Sequence, residues 1–281
     1  MKKVLILVFV LLVSFTTSAL ASSVENSDSK KWNEKQVNKR LLQLGLTEEQ
    51  IGYLNWESKV EIAKDKEAKK VLNFSRKAYS FDEETGEVSE ATGEFSTMAL
   101  VDDIYLNTVA IDYGQSNGHP YIKIVGDYNW SKMPFYRLQD GFALSWSEGW
   151  YAKSWGFTNK QKYCSWTSGG TCYDPYWKST SHSTPYDQDR LAGVGWKYDI
   201  TGNAWDATGT AYVYLEANDE SKVKSTTYSG FASWYGHDKW QSDLGISIGL
   251  PKGAGIAAGV SFGGEEYVKD STSIYNPGLT Y

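Results

Sequence analysis

The sequence predicts a mainly β protein, an antiparallel β-sandwich of jelly-roll type preceded by a small helical module. Three observations carry that expectation. Aromatic residues are 15% of the 281, and ten of the 12 Trp and 18 of the 20 Tyr fall after Met98. In the same region large apolar residues alternate with small or polar ones in Tyr121–Val125, Ala211–Ala217 and Leu244–Leu250, the period of a pleated strand. Gly, Asn and Asp interrupt these runs often, so about 180 residues hold many short strands and fit one sandwich or barrel. With 41% hydrophobic and 22% charged residues, the composition excludes a disordered polymer, a collagen and a coiled coil. There is no fixed-period repeat of a propeller or solenoid.

Residues 1–21 have the parts of a secretory signal peptide: Lys2-Lys3, an apolar run Val4–Val13, and a small-residue site at Ala19-Leu20-Ala21. That run is half the length needed to span a bilayer, so cleavage after Ala21 and a secreted, extracellular protein are expected. Losing Lys2 and Lys3 takes the net charge from −6 to −8. Such a chain repels phosphates and anionic head groups, which argues against nucleic acid as a partner.

Residues 22–80 read as the helical module. Val37, Leu41, Leu42 and Leu44 keep helical spacing before Gly45, a residue suited to a left-handed helix end. Thr47-Glu48-Glu49-Gln50 has the form of a capping box, and Asn55 suits the cap of a third helix carrying Val60, Ile62 and Ala63. Residues 81–98, acidic and turn-rich, read as a linker. Residues 99–281 form the aromatic-rich β domain. Phe142, Leu144, Trp146 and Trp150 share one parity and predict a core face.

Cys164 and Cys172 are the only cysteines, and outside the cytosol they are expected to pair. Around them Trp166, Tyr173, Tyr176, Trp177 and Tyr186 lie in loop-like sequence rich in Ser, Thr, Asp and Pro. Rings in a loop stay partly exposed, and flat exposed aromatics beside hydroxyls suit the faces and edges of sugars. These five are the candidate ligand-binding residues. Glu148 and Glu216, each inside an aromatic run, are candidate catalytic carboxylates for a glycoside hydrolase; Glu148-Gly149 equally suits a turn, and Glu216 a strand end in water. His182 with Asp187 and Asp189 is a candidate oxygen-rich cation site, with a solvated loop as the alternative. Gly118-His119-Pro120 and Tyr235-Gly236-His237-Asp238 read as turns. Leu244–Leu250 and Ile256–Phe262 suggest a hairpin with one greasy face, which a membrane-active, pore-forming-like protein would use; closely packed core strands are the alternative. No cofactor motif is present, and esterase, metalloprotease and dinucleotide patterns are missing.

Leu44-Gly45-Leu46-Thr47-Glu48-Glu49-Gln50-Ile51, the block Tyr128–Pro134, Asp140–Trp146 and the Gly/Ile/Ser-alternating tail together resemble an uncharacterised group of secreted proteins of Bacillus-type Gram-positive bacteria. The resemblance implies an extracellular all-β domain and transfers no catalytic residue. The expected function is thus non-catalytic binding at the cell envelope, to cell-wall or other polysaccharide through loop aromatics. The alternatives are a secreted antibacterial or membrane-active protein and a β-sandwich glycosidase.

Overall fold

The computed structural model describes residues 32–81, 88–90, 104–131, 133, 139–225, 228–237, 244–251, 255–263, 267–275 and 279. The chain divides into two units, Met1–Trp32, of which Trp32 alone is described, and Asn33–Tyr281. The signal peptide expected over 1–21 lies outside the described residues, as does most of the expected linker. Everything below belongs to Asn33–Tyr281.

Three helices open it: α1 (Glu34–Gln43), α2 (Glu48–Tyr53) and α3 (Trp56–Ala63). Each begins where a side chain satisfies a first-turn amide that has no carbonyl partner in the helix. Asn33 accepts from the Lys35 amide at 2.9 Å, and Asn55 from the Ser58 amide at 2.8 Å. Thr47 and Gln50 exchange bonds of 3.1 and 3.0 Å in the capping box read from sequence. Gly45 closes α1 at φ +100°, a conformation that a Cβ would strain.

The strands follow as β1 (Lys70–Phe81), β2 (Val88–Glu90), β3 (Ile104–Ser116), β4 (His119–Trp130), β5 (Gln139–Trp146), β6 (Trp150–Ser168) and β7 (Thr171–His182). After them come β8 (Asp187–Asp189), β9 (Gly193–Asp199), β10 (Asp206–Ala217), the short helix α4 (Glu220–Ser225) and β11 (Tyr228–His237). The chain ends in β12 (Ile246–Ile248), β13 (Val260–Phe262) and β14 (Tyr267–Tyr275). One sheet runs β2-β1-β3-β4-β10-β6-β7, a second β14-β11-β5-β9-β8, and β12-β13 is a separate pair. All the pairings among the described residues are antiparallel.

The two larger sheets bury one core between them. Phe142, Leu144, Trp146 and Trp150 are fully buried in it, with Ile122, Ile124, Tyr128, Trp196, Val213, Leu215, Phe231 and Tyr235. The parity argument therefore identified this face. The seven-stranded sheet is covered on its other face too, where Val37, Leu41, Leu44, Ile51, Leu54 and Ile62 of the helices meet Val109, Ile111 and Val125. With both faces covered, β3 and β4 are buried at nearly every position rather than alternating. Asn117-Gly118, with φ of +53° and +83°, makes the tight turn joining these two strands.

The boundaries differ from the sequence reading in three places. Lys70–Phe81 is a strand paired with β3, and Val88–Glu90 pairs with Tyr79–Phe81, so both lie in the sheet rather than in module and linker. The lysines and arginine that give this stretch its helical look serve an outer strand: Lys77 meets Glu90 at 2.8 Å, and the Arg76 guanidinium lies 3.8 Å from the Tyr53 ring centre and 4.3 Å from that of Tyr105. Tyr235–His237 is the buried end of β11, not a turn. The tail forms strands of only three residues on each side. Its apolar face packs through Leu244, Ile246, Val260 and Phe262 onto Ala143, Ala232 and Trp234 on the outside of the five-stranded sheet. The Phe262 ring seats where Gly141 and Gly236 leave room; a Cβ would come within 2.5 and 2.4 Å of it. The face that a membrane reading would use is thus occupied.

Candidate functional site

Strands β6 and β7 form a long hairpin at one edge of the seven-stranded sheet. Its root is fixed on the inner side. Phe157, Asn159, Gln161 and Tyr163 are buried, as alternation along a strand requires when one face lies on a core. Gln161 donates to the Asp199 carbonyl at 2.7 Å and accepts from the Thr201 amide at 3.0 Å, tying the hairpin to the end of β9. The Tyr163 hydroxyl donates to Gln161 at 2.9 Å. His182 stacks on Phe157 with ring centres 5.3 Å apart and lies 2.9 Å from Asn159. Burial lowers the His182 pKa, which favours the neutral imidazole.

Beyond this root the hairpin stands clear of the core. Cys164 and Cys172 are disulfide-bonded, as expected, and Gly169-Gly170 turn the chain at positive φ. All five candidate aromatics are exposed, between 38% and 52%. Four of them sit on the hairpin, in strands rather than in the loop the sequence suggested. Trp166 and Tyr173 face one another across the ladder and stack almost parallel, 3.9 Å between ring centres. Tyr176 stacks on its cross-strand partner Tyr163 at 5.6 Å. Trp177 lies under two ammonium groups, Lys160 at 5.6 Å and Lys162 at 5.9 Å. Lys178 lies 4.9 Å from the Tyr163 ring centre and 5.8 Å from that of Tyr176. Tyr186 stands apart, before β8, with Lys197 5.1 Å from its ring. Such pairs hold a flat ring in place while leaving its other face to solvent.

The helical module reaches this site. Glu57 of α3 bonds Lys160 at 2.5 Å. A cleft of about 230 Å³ opens there, lined by Trp56, Glu57, Lys64, Thr158, Thr210 and Tyr212. Strand β7 is exposed along both faces and forms the sheet's border, interrupted by Asp174 at φ +47° and by Pro175.

The remaining candidates sit elsewhere. Glu148 lies in the turn between β5 and β6, 3.3 Å from Lys222. Glu216, on β10, meets Lys153 at 3.3 Å and Asn117 at 3.4 Å. Burial pushes the Glu216 carboxyl up, but hydrogen bonds from Ser116, Lys153 and Asn117 outweigh it and hold the pKa below the usual value. A general acid needs the opposite shift. Asp187 accepts from the Gln188 and Ile248 amides at 2.9 and 3.0 Å, and Asp189 from the Leu191 amide at 2.8 Å. These two carboxylates cap backbone, and among the described residues no group of three His, Cys, Asp or Glu side chains is placed to hold a metal ion.

Sequence reasoning missed the lysines beside the rings. The alternation Lys160-Gln161-Lys162, just before the first cysteine, was the signal that could have placed them on one strand face.

No family model and no curated protein matches the chain. Among solved structures it is similar to the pilus backbone protein of Streptococcus pneumoniae, at 7% identity and a TM-score of 0.29 over 58% of this chain. The match spans 43% of that protein, less than half its length. At that score the likeness bears on neither fold detail nor function.

Proposed function

We propose that this is an exported, non-catalytic protein that binds polysaccharide at the bacterial envelope through the β6–β7 hairpin. One observation carries the reading: four exposed aromatics lie on a single disulfide-closed hairpin whose root is anchored in the core. Sugar rings present C–H faces that pack on aromatic rings and hydroxyl edges that hydrogen-bond to Ser and Thr, and this hairpin offers both kinds of partner. Stacking Trp166 on Tyr173 and closing the disulfide before the ligand arrives reduces the ordering cost of binding. The Bacillus-type resemblance, the disulfide and the N-terminal pattern support placing the protein outside the cell.

Purified full-length exported protein should co-sediment with isolated sacculi, with a change in Trp emission. Pelleting should fall about tenfold in Trp166→Ala/Trp177→Ala, an effect of the size of losing one good aromatic contact. Wild-type pelleting by that folded double variant would overturn the reading.

A further inference from the structure

We infer that the polysaccharide taken by this hairpin is anionic, a glycan carrying carboxylate or phosphodiester groups. The inference rests on the polysaccharide reading above and names the ligand's charge. Between residues 150 and 182 the chain has four basic residues, Lys153, Lys160, Lys162 and Lys178, and one acidic residue, Asp174. The chain as a whole carries −6. Lys153 is paired with Glu216 and Lys160 with Glu57, so Lys162 and Lys178 are the charges that the hairpin sets beside its exposed rings.

The placement is specific. Trp177 pairs with Lys162 across the ladder and has Lys160 over it as well, whereas Lys178 pairs with Gln161 and lies against Tyr163 and Tyr176. Successive residues of a strand point to opposite faces. Lys162 thus charges one face of the hairpin and Lys178 the other, and a polymer following either face meets a ring beside an ammonium. A neutral glycan is gripped mainly by carboxylate and amide side chains that bond pairs of hydroxyls; Asp174 is the one carboxylate of the hairpin itself, and the neighbouring Glu57 is engaged by Lys160.

An anionic lipid surface would offer the same charge, but the composition disfavours it. Residues 156–190 contain no Leu, Ile, Val or Met, while Ser and Thr are frequent. Interfacial binding strength scales with the apolar area inserted, and apart from its rings this hairpin has no large apolar side chain to insert.

The test compares polymers that share a cellulose backbone and carry neutral or carboxylate substituents. Full-length exported protein is run by affinity electrophoresis through gels containing hydroxyethylcellulose or carboxymethylcellulose. It is also pelleted with sacculi before and after chemical removal of their anionic polymers, and with phosphatidylglycerol vesicles. The expected result is retention at least tenfold stronger by carboxymethylcellulose than by the neutral polymer, and loss of pelleting on stripped sacculi. Binding should fall on the order of tenfold between low and roughly 0.3 M salt, as screening and ion release predict. The double variant Lys162→Gln/Lys178→Gln should reproduce that loss. Equal retention by both polymers, without salt dependence, would overturn the anionic assignment and leave the polysaccharide reading standing. No retention by any glycan would overturn both, and vesicle pelleting in its place would assign the hairpin to lipid. The salt series uses the unaltered protein, so the outcome does not hang on the variant's folding.

Discussion

Lys123 has no exposed side-chain surface, yet three side chains answer its ammonium. Its ammonium donates to Glu61 at 2.7 Å and to Asp65 at 2.8 Å, and lies 4.6 Å from the Tyr214 ring centre. Burial pushes the Asp65 carboxyl up, but hydrogen bonds from Lys123, Tyr113 and Tyr214 hold it below the usual range. Deleting Lys123 leaves two partly buried carboxylates unanswered, which costs about 1–3 kcal/mol, less than for a fully buried pair because water reaches both. Lys123→Met is expected to lose that much in urea unfolding, and to lose far less when Glu61→Gln and Asp65→Asn are added. Asn55 is a second residue with two duties. It caps α3, and its side chain reaches the Gly209 carbonyl at 3.2 Å while accepting from Thr210 at 2.9 Å. Neither role beyond the cap was legible in the sequence, because each depends on a strand more than sixty residues away.

Asp127 and Asp270 set a pH dependence. Burial raises both from 3.8 to about 6, against hydrogen bonds from Asn107 and Ser58 on one and from Ser75 and Thr108 on the other. Between those values the folded chain holds protons that the unfolded chain has released, so stability falls as pH rises. The contribution is complete below about pH 4 and lost as pH passes 6. Raising pH from about 4.5 to 7 should lower unfolding free energy by about 2 kcal/mol for each group. Asp127→Asn should remove roughly half of that slope, measured by denaturant titration across the range.

At the scale of elements, the short pair β12–β13 is a lid over the five-stranded sheet whose fit depends on missing side chains. A Cβ on Gly236 would meet the Phe262 ring at 2.4 Å, and Phe262 is itself packed. Gly236→Val is therefore expected to displace β13 and to cost about 1–3 kcal/mol, the range for overfilling a packed site; calorimetry reads it as a lower Tm. The elements show why part of the fold was readable. Caps and turns are written in a few adjacent residues, so Thr47-Gln50 and Gly45 were found where they are. The face of Phe142, Leu144 and Trp146 followed from parity alone. Strand β1 was not readable, since its charged residues are explained by Glu90, Tyr53 and Tyr105, all distant in sequence. The tail hairpin was overextended because Gly and Ser alternation continues past the residues that find a partner.

For the whole molecule, the helices and the sandwich form one body. The helical layer buries Leu41 and Ile62 completely against Val109, Ile111 and Val125 of the large sheet. Leu41→Ala should cost about 2–5 kcal/mol for the cavity and lost transfer energy. Because the body is shared, one unfolding transition is expected to report the loss by both far-UV dichroism and Trp emission; two separated transitions would show the helices unfolding alone. The candidate site was half legible on this scale. Exposed rings near the cysteines could be foreseen, whereas the lysines beside them and the Glu57 contact needed the strand ladder and α3 in place.

The border strand β7 leaves a line of amides and carbonyls that a neighbouring copy's strand would normally extend. Pro175 deletes an amide from that line, Asp174 bends it, and Lys178 sets like charges against each other when two copies approach. The molecule can therefore expose a long ribbon to solvent while discouraging stacking into fibrils, even where many copies crowd together.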